Sequence, residues 1–177
     1  TPFVTDIDYN AKGQREQIVH GNGAVTSYNY DSLTFRLARL QTTRGADRLQ
    51  DLFYIYDPAG NIASIRDDTQ QTIYFNNAVV DPHAEYTYDA IYRLIEATGR
   101  EHIGQQNQPT PSSSNDGFRV NLPHPNDGQA MRRYTERYEY DGVGNILRLI
   151  HQAGAGTSRV RLTWSRRSRA RGCGSWR

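Results

Sequence analysis

An all-β fold of repeated antiparallel β-hairpins is predicted by three observations. First, a Tyr-x-Tyr-Asp motif recurs four times, as Tyr28-Asn29-Tyr30-Asp31, Tyr54-Ile55-Tyr56-Asp57, Tyr86-Thr87-Tyr88-Asp89 and Tyr138-Glu139-Tyr140-Asp141; Ile7-Asp8-Tyr9-Asn10 is a degenerate fifth copy. Second, each motif is followed by a short linker and then apolar residues, as in Gly60-Asn61-Ile62 with Ile65, Arg93-Leu94-Ile95, and Gly144-Asn145-Ile146 with Leu149. Third, only 36% of residues are apolar while 12 are tyrosine, which suits a thin sheet whose core is largely tyrosine. The second tyrosines stand at 9, 30, 56, 88 and 140, so the spacings are 21, 26, 32 and 52. The unit is about 20 residues long with variable insertions.

Each element of the unit has a local reason. Tyrosines at i and i+2 point to one face of a strand, and aromatic rings suit that pleated surface. Asp57-Pro58-Ala59-Gly60 then reads as a type I turn. The carboxylate accepts from backbone N–H groups, Pro58 presets φ, and Gly60 takes the left-handed position that closes a bulged three-residue loop. Asp141-Gly142-Val143-Gly144 and Asn10-Ala11-Lys12-Gly13 fit the same template. Asp89-Ala90-Ile91-Tyr92 and Asp31-Ser32-Leu33-Thr34 lack the glycine, which predicts another turn geometry, with one extra residue before Arg36-Leu37 in the second. Arg36–Leu40 and Arg93-Leu94 open the return strands. Gly21-Asn22-Gly23 is an Asn-Gly turn signal rather than a phosphate loop, because no helical pattern follows it.

A single hairpin cannot bury a face, but hairpins stacked side by side can. The chain therefore divides into hairpin repeats over 1–103, a Gln/Pro/Ser-rich loop insertion over 104–129, a further hairpin over 130–156 and an Arg-rich tail over 157–177, read as disordered. Phe118, Val120 and Leu122 alternate inside the insertion and suggest a short strand or clasp there. The net charge of +2 is unevenly spread: the tail holds seven arginines and no acid, the rest 14 basic and 19 acidic residues. The tail does not continue the motif after Trp164 and reads as a truncated or frameshifted end, and the absence of an initiator Met suggests a fragment or a processed chain. No apolar run is long enough for a membrane-spanning helix.

The repeated Tyr-x-Tyr-Asp followed by Gly-Asn-Ile or Arg-Leu resembles the Rhs/YD-repeat family. Residues 85–102, together with Tyr138-Glu139-Tyr140-Asp141-Gly142-Val143-Gly144-Asn145-Ile146, most resemble the B and C components of bacterial insecticidal toxin complexes and their SpvB-like relatives. The resemblance covers roughly residues 1–156. It implies a strip of a hollow β-shell, incomplete in this chain, that encloses a toxic C-terminal domain in a secreted toxin complex. The implied partners are other repeats of the same shell, a partner toxin-complex subunit and the enclosed domain.

Read for chemistry, the residues favour structure. Asp57, Asp89 or Asp141 could be imagined as paired glycosidase carboxylates, but an Asp in every copy marks a turn acceptor, whereas a catalytic pair needs one unique site. Tyr28, Tyr30, Tyr54, Tyr56, Tyr86, Tyr88, Tyr138 and Tyr140, with Asp31, Asp57, Asp89, Asp141, Gly60, Asn61, Gly144 and Asn145, are expected to be structural motif residues. Asp67-Asp68 is expected at a solvated hairpin end. The five histidines show no metal-ligand spacing, and Cys173 stands alone, so no catalytic, cofactor or metal site is expected. The arginine tail lacks the interleaved aromatics of a specific nucleic-acid site. The rival to a structural segment is a module binding a surface carbohydrate or a partner, with sugars stacked on the tyrosines.

Overall fold

A computed structural model describes residues 2–103, 128–153 and 157–163. Its strands are β1 (Val4–Tyr9), β2 (Arg15–His20), β3 (Ala24–Tyr30), β4 (Leu37–Arg44), β5 (Asp47–Tyr56), β6 (Ile62–Asp67), β7 (Ile73–Phe75), β8 (Ala78–Val80), β9 (His83–Tyr88), β10 (Leu94–His102), β11 (Met131–Tyr140), β12 (Ile146–Ala153) and β13 (Thr157–Thr163). Eleven of them form one open antiparallel sheet in the order β1-β2-β3-β4-β5-β6-β9-β10-β11-β12-β13. Chain order and sheet order coincide except at β7 and β8, which pair only with each other. The strip of hairpins expected from the repeat is the fold.

The insertion and the tail fall mostly outside the described residues, including Phe118, Val120 and Leu122. Within the tail, the backbone of Thr157–Thr163 pairs with β12, where a disordered end was expected. The alternation Ser158-Arg159-Val160-Arg161-Leu162 is compatible with a strand, and the free edge of β12 supplies the hydrogen bonds that a charged segment lacks alone.

Every Tyr-x-Tyr-Asp copy ends a strand at a bulge. The register slips at Asp8/Tyr9, Asn29/Tyr30, Ile55/Tyr56, Leu94/Glu96 and Glu139/Tyr140. In the glycine-bearing turns, Gly13, Gly60 and Gly144 have φ of 75°, 107° and 93°. The different geometry expected for the Asp89 turn does not occur. Tyr92 takes the left-handed position itself at φ 64°, and the same two backbone bonds close the turn, Tyr92 N–H to Asp89 O and Asp89 N–H to Arg93 O. The Asp31 turn does carry one extra residue: Phe35, at φ 59°, donates to Asp31 O, and Asp31 N–H donates to Arg36 O. Turn length is set by the pairing strands, which outweigh the local cost of a left-handed side chain.

The register places Tyr28, Tyr54 and Tyr86 in a row on one face with Tyr30, Tyr56, Tyr88 and Tyr140, all half-buried, while the intervening Asn29, Ile55, Thr87 and Glu139 are exposed. Among the described residues the buried side chains are mostly small or polar, including Ala24, Thr26, Val80, Ala97, Asp51, Glu101 and His151, with Ile18 a larger apolar exception. One layer of sheet leaves little volume for a wholly buried aromatic, so the tyrosines cover the strands without being enclosed.

Candidate functional site

Each turn is closed by its motif carboxylate or amide. Asp57 Oδ1 accepts from the backbone N–H groups of Gly60 (2.7 Å) and Asn61 (2.8 Å), and its Oδ2 accepts from Asn61 Nδ2 (2.8 Å). Asp141 accepts from Val143 N, Asn145 N and Asn145 Nδ2 at 2.9–3.0 Å. Asp89 accepts from Ile91 N and Arg93 N and pairs with Arg93 Nε at 2.7 Å. Asp31 accepts from Leu33 N, Thr34 N and the Thr34 hydroxyl. These donors favour the ionised form. The Asn61 side chain leads in holding Asp57 below the ordinary carboxylate range, the Arg93 backbone N–H in Asp89 and the Thr34 backbone N–H in Asp31.

The second tyrosine of each full copy fastens one hairpin to the one before it. Tyr30 Oη donates to Arg15 O (2.9 Å), Tyr56 Oη to Leu37 O (2.9 Å), Tyr88 Oη to Ile62 O (3.0 Å) and Tyr140 Oη to Leu94 O (2.7 Å). In each case the acceptor is the first residue of the preceding return strand. Burial raises the hydroxyls of Tyr30, Tyr56 and Tyr88 above their ordinary range, keeping them protonated donors. A second link alternates with the turn type. Arg36 and Arg93, from the two turns without glycine, lie over the rings of Tyr56 and Tyr140 and donate to the carbonyls of Asp57 and Asp141. Gly60 makes room for that arm, since a Cβ there would stand 2.5 Å from Arg36 Nη2.

Two charge clusters were not anticipated from the sequence. On the face opposite the tyrosines, Asp51 is fully buried and takes Arg39 in a two-pronged pair at 2.7 Å and 2.7 Å, with Gln41 and Arg48 at 3.1 Å and 3.2 Å. The Arg39 bond leads in holding Asp51 below the ordinary carboxylate range against the opposing effect of burial. Asp67, expected in solvent, is instead half-buried and accepts from Asp51 N, Thr69 N, the Thr69 hydroxyl and Gln70 Nε2. It turns the chain toward the β7–β8 hairpin, which explains the 32-residue spacing.

On the tyrosine face, the His151 ring lies between two carboxylates, Nε2 3.0 Å from Glu101 Oε2 and Nδ1 3.1 Å from Glu136 Oε1. Arg132 holds Glu101 at 2.7 Å, and the Tyr138 hydroxyl donates to Glu136 Oε2 at 2.8 Å. Tyr134 stacks on the imidazole with centroids 5.1 Å apart, over Gly99, where a Cβ would meet the Tyr134 hydroxyl at 2.7 Å. The signal available in sequence was phase: Glu136 alternates in step with Tyr134, Tyr138 and Tyr140, so it had to point to the tyrosine face. What it met there depended on the pairing of β10 and β12.

A cavity of about 570 Å³ beside the β7–β8 hairpin is lined by Arg48, Arg66, Asp68, His83, Glu85 and Arg133 among others, with Arg66 paired to Asp68 and His83 to Glu85. Among the described residues, no three His, Cys, Asp or Glu side chains come together as a metal site. The motif carboxylates are each engaged within their own turn.

No protein-family model matches the chain. It is 39% identical over 176 residues to Toxin subunit YenC2 of Yersinia entomophaga and 37% identical over 161 residues to Toxin subunit YenC1 of the same organism. These alignments cover 94% and 86% of the chain but only 17% and 16% of the two subunits. Among solved structures, a TcdB2-TccC3-Cdc42 crystal structure is similar at a TM-score of 0.65 and 38% identity, covering 89% of this chain and 7% of that one. A Photorhabdus luminescens Tc holotoxin pore is similar at 0.66 and 36%, with the same coverage. Motif, fold and this identity agree: the chain is a relative of the B and C components of bacterial insecticidal toxin complexes, within the Rhs/YD-repeat family.

Proposed function

We propose that this strip is a non-catalytic wall segment of a hollow shell that encapsulates a toxic domain for delivery outside the producing cell. The observation that carries the reading is the clasp from each Tyr-x-Tyr-Asp copy to the hairpin before it, made the same way at four junctions. Such a contact propagates a wall, because each of the three inner hairpins, β3–β4, β5–β6 and β9–β10, both receives and supplies it. The turn carboxylates are engaged in closing their loops and the hydroxyls of Tyr30, Tyr56, Tyr88 and Tyr140 in the clasps, which supports a structural role for these motif residues. The partners in this reading are further repeats of the same shell, a second toxin-complex subunit and the enclosed domain.

The test is a graft of this strip into a full-length toxin subunit in place of the matching segment. The graft should keep the subunit's C-terminal domain resistant to protease. A graft carrying Tyr30→Phe, Tyr56→Phe, Tyr88→Phe and Tyr140→Phe should expose it. Equal resistance in both grafts would overturn the clasp as the basis of the wall. An enzymatic activity abolished by Asp57→Asn with the fold intact would overturn the non-catalytic reading.

A further inference from the structure

The Glu101–His151–Glu136 cluster joins three successive strands, β10, β11 and β12, through one side chain, and that side chain is a histidine. Glu136 and His151 are direct register partners across β11 and β12, and Glu101 reaches the ring from β10, two strands away. His151 and Glu101 are both 7% exposed, so water cannot replace a lost contact cheaply.

The geometry fixes what the ring must carry. Both nitrogens stand within 3.1 Å of carboxylate oxygens, which can only accept when ionised. Two N–H donors are needed, and an imidazole has two only in its protonated form. A neutral ring turns one of the contacts into lone pair against lone pair. The other groups facing the ring do not relieve this. Among the described side chains, from β10 there is Glu101, already held by Arg132; from β11 there are Arg132, Tyr134, Glu136 and Tyr138. The Tyr138 hydroxyl, raised above its ordinary range by burial and by Glu136, donates to Glu136 without supplying a proton to the ring.

We propose that Glu101, His151 and Glu136 form a proton-gated clasp that ties β10, β11 and β12 when the ring is doubly protonated and loosens this part of the sheet when it is not. The sign follows from the donors: the tie is present on the acid side of the histidine transition and is lost as pH rises through it. Histidine is the side chain suited to this because its charge ordinarily changes in the neutral range. The proposal does not depend on the shell reading, because it concerns a joint within the described sheet.

Hydrogen exchange read by mass spectrometry on the whole chain tests it, with rates corrected for the intrinsic effect of pH. Between roughly pH 5.5 and 8.5, the range in which a histidine ordinarily changes charge, amide protection in peptides spanning 131–153 should fall as pH rises. Peptides spanning 24–44, whose register partners lie elsewhere in the sheet, should hold steady and serve as the internal reference. His151→Gln keeps a polar side chain but removes the titration, so its 131–153 protection should not change with pH. Glu136→Gln, which removes one of the two acceptors that demand a second proton, should flatten the response as well. Unchanged protection in the wild-type chain would overturn the proposal. So would a pH response that persists in both variants, or one shared equally by 24–44.

Discussion

The hydroxyl of Tyr56 donates to the backbone carbonyl of Leu37 at 2.9 Å, and so fastens the hairpin of β5 and β6 to the return strand of the hairpin before it. The same link recurs from Tyr30, Tyr88 and Tyr140. It uses a backbone acceptor, so it tolerates sequence change on the strand that receives it. Arg15, Leu37, Ile62 and Leu94 all serve.

Removing the hydroxyl alone should therefore have a uniform effect. Tyr56→Phe and Tyr140→Phe are each expected to lower unfolding stability by about 1 kcal/mol, the net worth of one hydrogen bond. Tyr9→Phe should change it far less, because Tyr9 is 57% exposed at the sheet edge and makes no such bond among the described residues. Urea midpoints of the three variants compare them directly.

The left-handed side chains make an opposite prediction. Tyr92 sits at φ 64° and is 63% exposed, so it bears conformational strain and gives little packing in return. Tyr92→Gly should raise stability by about 1 kcal/mol. Gly60→Ala should lower it, because φ is 107° there and the new Cβ would strike the Arg36 guanidinium. Thermal midpoints moving the same way in both variants would contradict this account of the turns.

Turn carboxylates give the chain an acid-side dependence. The folded pKa values of Asp57 and Asp89 lie below the ordinary 3.8, so their contribution is complete above that value and is lost as pH falls through the folded pKa. Asp57→Asn with Asp89→Asn should flatten the acid limb of a stability-against-pH curve below about pH 4 and lower the plateau above it. A plateau unchanged by both substitutions would remove these carboxylates from the stability of the turns.

Burial separates the two ion pairs near β6. Asp51 is wholly enclosed and holds Arg39 through two bonds, whereas Asp68 pairs with Arg66 in the open. Asp51→Ala should destabilise the sheet much more than Asp68→Ala, since it strands the cation and leaves Gln41 short of an acceptor. Equal denaturation midpoints would refute the difference.

Close packing at the end of the strip supplies a last prediction. Gly99→Ala should cost roughly 1–3 kcal/mol by driving a methyl into the Tyr134 ring. A smaller residue at 134 should recover part of that loss, as a double-mutant cycle would read.

The sequence by itself determined the repeat, its hairpins and the positions of its turns, because those rest on spacing within a few residues: i and i+2 for the tyrosines, Asp to Gly or Asn for the loop. Even the extra residue of the Asp31 turn was legible in this way. Only the tertiary structure decided which carbonyl each tyrosine reaches, that Tyr92 would adopt a glycine's conformation, that β7 and β8 would leave the sheet, and that residues 157–163 would join it. It also decided that Asp51 would meet Arg39 and that His151 would lie between Glu101 and Glu136. The physical reason is register. A strand's own alternation says which face a residue occupies, but its neighbours across the ladder follow from the turn lengths and bulges of every hairpin between them.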